Sequence, residues 1–213
     1  MKNELIISGL LDFWAQENAR IGKLVGSEYG ELLRQAYRTL DVPVLYQSRI
    51  HGNGHIERTM LLGAMIAQAL GLSVHESKML LLCCSYHDIG RHNDFRDNDH
   101  GNVAAKKLMS PGMKPKFRGY SAEDFKIMQA AITLHSISDK EIDNVARQYG
   151  LSENSMPRYY RIAKCLKDSD NLDRVRLRDF DINHIRHQES REMADDARWI
   201  FKKYTSAQER GKV

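Results

Sequence analysis

Apolar residues recur at helical spacing along nearly the whole chain, while alternation with a period of two, bounded by turns, is hard to find. The pattern predicts an all-α protein. From Ile56 the positions Met60, Gly63, Ala64, Ala67 and Leu70 form one stripe, and Gly71 with Ser73 closes that helix. The next helix carries residues 75–89 and contains the apolar run Met79-Leu80-Leu81-Leu82-Cys83-Cys84. Ser121 with Asp124, and Ser138 with Glu141, match the capping box S-x-x-[DE] and set helix starts there, the second helix ending at Gly150. Pro157 suits the first turn of a further helix reaching about Arg176, because a proline lacks only a donor that is unsatisfied there anyway. A last amphipathic helix spans about 189–204. Upstream, a helical region over about 3–40 is broken at Gly22, Gly26 and Gly30 and ends at Asp41-Val42-Pro43. Residues 91–102, rich in Asp and Asn, and 110–120, with two prolines and two glycines, read as irregular stretches that border a cleft.

A length of 213 residues is enough to bury one substantial core. The expected organisation is a single compact domain, in which an N-terminal helical segment, residues 1–45, packs on residues 46–213. Hydrophobic residues at 42% against 28% charged are ordinary for a globular chain, and the apolar runs are too short or interrupted to cross a bilayer, so no membrane partner is expected. Glu4 stands early and no small-residue cleavage site follows, so no secretory signal is expected. Three cysteines, two of them adjacent inside the apolar run, make a poor disulfide framework and suit a reducing compartment. The expected location is the cytoplasm. A formal charge of +4 is mild, so nucleic acid is not indicated, while an anionic substrate is compatible with it. Basic residues gather at Lys114, Lys116 and Arg118 and again at Arg174, Arg176 and Arg178.

Candidate chemistry begins at His87-Asp88, which ends the apolar run. A histidine beside an aspartate on a buried helix costs several kcal/mol of desolvation unless something charged repays it, and a metal ion is the commonest such partner. His51 and His55 are four residues apart, but Gly52 and Gly54 weaken any helix before residue 55; Arg58 lies one turn after His55 and suits an anion held beside it. Further on, Asp168-Ser169-Asp170-Asn171-Leu172-Asp173 puts three acids into six helical residues with apolar flanks, an arrangement that repels itself unless cations neutralise it. Taken singly, each group also has an ordinary reading: exposed histidines at a helix start, an acidic face paired with Lys167, Arg174 and Arg176, solvated basic faces. Asp94, Asp97 and Asp99 lack the glycine and glutamate offsets of an EF-hand. Cys83, one turn before His87, would favour a softer ion than a His/Asp site holds.

Taken together and in order, His55-x-x-Arg58, His87-Asp88 and Asp170 resemble the HD-domain superfamily of metal-dependent phosphohydrolases, over about residues 50–180. The resemblance implies an HD-domain-like helical bundle with extra N-terminal helices, residues 46–213 forming the metal-binding domain. It implies that His55, His87, Asp88 and Asp170 hold a divalent metal ion (Mn, Fe, Co, Ni, Zn or Mg). Asp170 is preferred to Asp168 because Ser169-Asp170-Asn171-Leu172 matches the family's late motif. His100 and His135 resemble two histidines that hold a second metal in some branches, although only 12 residues separate Asp88 from His100. The activity so implied is hydrolysis of a phosphoester bond in a small phosphorylated substrate such as a nucleotide, by metal-activated water. Asp88, Arg91 and Arg58 would serve catalysis, with Arg91 standing where some members carry the lysine of HDIGK; His51, Lys114, Lys116 and Arg118 would bind substrate. The glutamate-aspartate pair of guanosine-tetraphosphate hydrolases is absent, Arg91-His92 standing in its place, and so is the GYP signature of cyclic-di-GMP phosphodiesterases. The same ligand pattern also serves di-iron oxygenases, and a non-catalytic regulatory module is a third alternative. The N-terminal helices offer either a homodimer surface or extra core.

Overall fold

A computed structural model describes residues 5–210, the side chains of Lys114 and Pro115 excepted. The described residues are helical without a strand, as the periodicity predicts, and none of the helices is long and apolar enough to cross a membrane. Three N-terminal helices, α1 (Ile6–Glu17), α2 (Ala19–Val25) and α3 (Glu28–Thr39), lead into α4 (Asn53–Ala69) and α5 (Val74–Tyr86). Then come α6 (His100–Lys107), α7 (Ala122–His135), α8 (Ile142–Gln148), α9 (Met156–Leu172), the short α10 (Gln188–Arg191) and α11 (Ala194–Arg210). Helices α4, α5, α7 and α9 pack on one another at the centre; α6 lies on α7, and α3 covers α4 and α5.

Local chemistry sets most of the boundaries. Ser73 with Glu76 and Ser121 with Asp124 form reciprocal capping boxes that start α5 and α7, each such cap contributing about 1 kcal/mol. At the N-terminus one break falls at Asn18, whose side-chain oxygen accepts from the Ile21 N–H to cap α2, and a second at Gly26, as expected, while Gly22 and Gly30 lie inside helices. The capping box expected from Ser138 and Glu141 does not form. Ser138 caps only a 3-10 turn over Asp139–Glu141, and the Glu141 carboxylate accepts from the Asn144 amide instead. The helix expected to reach Arg176 gives way at Leu172 to a 3-10 segment, Asp173–Leu177, and the last helix is split in two, with Ser190 and Met193 buried at the break.

The N-terminal segment is joined to α4 by one buried carboxylate. Leu5 provides no side-chain cap to α1, and Glu57 supplies one from α4: its Oε2 accepts from the Ile7 N–H at 2.6 Å. The Tyr204 hydroxyl of α11 lies 3.2 Å from the other oxygen, and the Tyr37 hydroxyl of α3 donates to the Glu57 carbonyl at 2.7 Å. First, third and last helices therefore meet on α4, two residues from His55.

Candidate metal centre

Six side chains from five segments converge at one end of the central helices. His55 lies in the first turn of α4, and His87 caps the C-terminus of α5 with Asp88 directly after it. His100 opens α6, His135 closes α7 and Asp170 lies near the end of α9. Two glycines allow the approach of α6. A Cβ on Gly90 would stand 2.0 Å from the His100 carbonyl oxygen, and one on Gly101 would stand 2.5 Å from the Ile132 carbonyl oxygen and 3.0 Å from His135 Nδ1. With hydrogen in those places, α6 seats against both the doublet and α7.

Each imidazole presents Nε2 to the centre because its Nδ1–H is held from behind. His55 Nδ1 donates to Asp173 Oδ2 at 2.8 Å and His87 Nδ1 to the Cys84 carbonyl at 3.0 Å; those of His100 and His135 donate to the carbonyls of Asp97 and Ile132. His55 Nε2 and His87 Nε2 are then 3.1 Å apart, and His100 Nε2 and His135 Nε2 are 2.9 Å apart. A neutral ring whose proton is on Nδ1 has none on Nε2, so in that form two lone pairs face each other twice. A cation relieves that repulsion.

The carboxylates complete the arrangement. Asp88 Oδ1 lies 3.1 Å from His100 Nε2 and 3.6 Å from His135 Nε2. Its Oδ2 lies 3.6 Å from His55 Nε2 and 3.8 Å from His87 Nε2, and is buried without any hydrogen-bond partner. Asp170 Oδ1 is 3.3 Å from His55 Nε2. The sets His55, His87, Asp170 and His87, Asp88, His135 each have ligand atoms within 4.8 Å of one another and can hold a metal ion. An orphaned carboxylate oxygen facing imidazole nitrogens fits such an ion. Ionisation points the same way. Burial pushes His87 down to about 3 and lowers His135, keeping both neutral; the four imidazoles hold Asp88 well below the usual carboxylate range against the opposing effect of burial, and His55, His87 and His135 do the same for Asp170. Neutral histidines and ionised aspartates are the forms that ligate. The ligands are deeply buried except Asp170, whose side chain is 25% exposed and marks the open edge.

Asp168 and Asp170 separate cleanly. Asp168 is fully buried, accepts from the backbone N–H groups of Arg186 and His187, and contacts both their side chains, so it anchors the segment before α10. Arg58 does not face an anion site beside His55, as the sequence suggests. Its guanidinium is buried, donates twice to Asp173 at 2.6 and 3.0 Å, and lies over the rings of Tyr204 and Phe201. It braces the residue that orients His55. Arg91 donates from Nε to Asp88 Oδ1 at 2.9 Å, on the margin of the centre. His51 is buried, with Nδ1 held 3.0 Å from Asp94 and its ring edge-on to His55.

Lys116 is drawn away by Asp41, at 2.9 Å, and Arg118 is exposed; among the described residues no hydrogen bond or ion pair joins either to the centre. The side chain of Lys114 lies outside the described residues. Cys83 directs its thiol to the Met128 carbonyl rather than to the ligands. Sequence reasoning places Asp173 on the inward face with Asp170 but gives it no role; Arg58, His55 and Arg176 hold it at about 2 although burial opposes them. The available signal is its spacing, three residues after Asp170 and three before Arg176 on one helical face.

Comparisons with protein-family models, with curated proteins and with solved structures found no match.

Proposed function

We propose that this chain is an HD-type, metal-dependent phosphohydrolase, in which His55, His87, Asp88 and Asp170 would hold one divalent ion and Asp88, His100 and His135 would serve a second. The observation that carries the reading is the division of one carboxylate between two pairs of imidazoles: Oδ2 faces His55 and His87, and Oδ1 faces His100 and His135. When bound, divalent ions with open positions supply a Lewis acid and a water of lowered pKa, the chemistry that hydrolysis of a phosphoester needs.

The residues of the chain do the rest. Asp173, held ionised by Arg58 and Arg176, fixes the ring of His55, and carbonyls fix the other three rings, so no rotamer has to be found during turnover. With two divalent ions bound, the carboxylates of Asp88 and Asp170 would leave an excess of two positive charges, to which Arg91 would add a third at the margin. That balance suits a phosphate dianion. Arg91 Nε is engaged by Asp88 and Nη1 lies 3.4 Å from the Phe95 carbonyl, which leaves Nη2 to donate to a phosphate oxygen. Substrate enters over Asp170, the exposed ligand.

The test is phosphate release from a panel of nucleotides and simple phosphoesters with Mn²⁺, Co²⁺, Ni²⁺ or Mg²⁺ added, comparing the wild type with Asp88→Ala. Metal-dependent release that the variant loses supports the reading. Oxygen uptake by an iron-containing wild type, with no phosphate released, replaces it with the oxygenase chemistry that the same ligands support.

A further inference from the structure

The chain before α4, the first turn of α4, the 3-10 segment after α9 and the helix α11 enclose a cleft of about 380 Å³, large enough for a small ligand. None of the six side chains of the metal centre lines it. Three arginines do. The Arg176 side chain is 6% exposed; its Nε donates to the Ile50 carbonyl at 3.0 Å, while Nη1, 3.3 Å from Asp173 Oδ2, is buried without forming a hydrogen bond. Arg58 gives Nε and Nη2 to Asp173 and is clamped over the rings of Tyr204 and Phe201, so it stands in the wall as a fixed positive group. Arg49 is exposed and, among the described residues, has neither an ion pair nor a hydrogen bond. Beside them Asn53, the first residue of α4, has a buried side-chain oxygen without a partner, and its amide makes no hydrogen bond among the described residues.

Two carboxylates are near, and both are committed elsewhere. Asp173 is divided among His55, Arg58 and Arg176; Glu57 accepts from the Ile7 N–H and meets the Tyr204 hydroxyl. Three guanidiniums against two carboxylates leave one positive charge uncompensated. A buried donor without a hydrogen bond costs about 1–3 kcal/mol, which a purely bracing network has no reason to carry and an acceptor in the cleft would recover.

We propose that this cleft is a binding site for a small oxyanion, a group of the phosphate, sulfate or carboxylate class, held by Arg176 and Arg49 as charged donors and by Asn53 as a neutral one. The planar guanidinium fork matches two oxygens of such a group. The site is separate from the metal centre, and the inference does not rest on the phosphohydrolase reading.

The test is equilibrium dialysis of the metal-loaded full chain against labelled sulfate and, separately, labelled succinate, for the wild type, Asp88→Ala, Asn53→Asp and Arg49→Gln. Neither probe offers a phosphoester to hydrolyse, and Asp88→Ala removes any anion binding that depends on the metal centre. The expected result is about one equivalent of at least one probe bound by the wild type and by Asp88→Ala alike. Asn53→Asp, which sets a carboxylate in the cleft, should weaken that binding about ten-fold or more, and Arg49→Gln should weaken it by a few-fold. An acid at the first position of a helix suits the helix dipole and Arg49 is exposed, so both cleft variants should fold, which their denaturation midpoints check. Sulfate bound without succinate identifies a tetrahedral anion, and succinate without sulfate a carboxylate. No saturable binding of either probe by the wild type, loss of binding in a folded Asp88→Ala chain, or binding unchanged in both cleft variants overturns the inference.

Discussion

Gly90→Ala separates the two halves of the centre with a single methyl group. The added Cβ would lie 2.0 Å from the His100 carbonyl oxygen and 2.5 Å from the Ala104 N, both backbone atoms that cannot swing aside, whereas ordinary contact begins at 3.4 Å. The start of α6 must therefore retreat by about 1.4 Å, the difference between those distances. His100 Nε2 is 3.1 Å from Asp88 Oδ1, and a metal–imidazole bond of about 2.0–2.1 Å tolerates far less displacement than that. Neither group of three that can hold an ion takes an atom from α6, but His100 is the imidazole nearest Asp88 Oδ1, so the side of His55, His87 and Asp170 stays whole while the other side loses a ligand. Overpacking of this kind costs about 1–3 kcal/mol, a fall in Tm of roughly 2–12 °C for a chain of this size. Calorimetric titration with Mn²⁺ should give two equivalents bound by the wild type and one by the variant, with the retained affinity within a few-fold of wild type. Two equivalents at unchanged affinity in the variant, or loss of both, would refute the division of the centre into halves that Asp88 links.

Other expectations follow from the groups behind the ligands. Asp173→Asn leaves Arg58 and Arg176 without their buried counter-charge and should destabilise by about 3–5 kcal/mol, measured by denaturant unfolding, while lowering metal affinity about 10–100-fold through loss of the His55 orientation; a variant with wild-type affinity would show that His55 needs no brace. Asp168→Asn should lower stability by disturbing the anchor of Arg186 and His187 yet leave metal stoichiometry intact, whereas Asp170→Asn should do the reverse, and titration of the two side by side decides the assignment. For acid sensitivity the signs are these: burial depresses His51 to about 4, His87 to about 3 and His135 in the same direction, so the unfolded chain binds more protons than the folded one below pH 6.5. Glu57, pushed up to about 7 by burial, works in the opposite direction, but one group is outnumbered by three. The metal-free protein should therefore lose stability as the pH falls from 6.5 to 5, and a denaturation midpoint that stays flat over that range contradicts the burial of the imidazoles.

What the sequence makes legible divides along a physical line. Helix content and the start of α7 are readable because a serine with an acid three residues later, and a stripe of apolar residues, act within one turn or a few; Ser73, which the sequence suggests as the close of α4, instead caps α5 by the same signal. Ser138 and Glu141 carry the same local signal and fail because Asn144 competes for the acid. His87 and Asp88 stand out because a charged pair closing an apolar run needs a partner. The role of Arg58 is not legible, since an arginine one turn after a histidine says nothing about a carboxylate 115 residues further on. Nor is the seating of α6, which depends on the hydrogen atoms of Gly90 and Gly101 and shows no periodicity. Glu57 lies inside an apolar stripe, where it looks like a misplaced charge until the start of α1 is brought against it.

The position of that carboxylate bears on how the gene can change. Glu57 sits two residues after His55 and serves as the cap that α1 lacks, while Tyr37 and Tyr204 hold the same turn from either end of the chain. A deletion before residue 46 would thus leave a buried carboxylate without its partners two residues from a ligand, and an insertion within α1 would be felt at the same place. The opening helices are consequently a poor site for trimming, fusion or circular permutation, and are bound to diverge in step with the first turn of α4 rather than as an appendage free to drift.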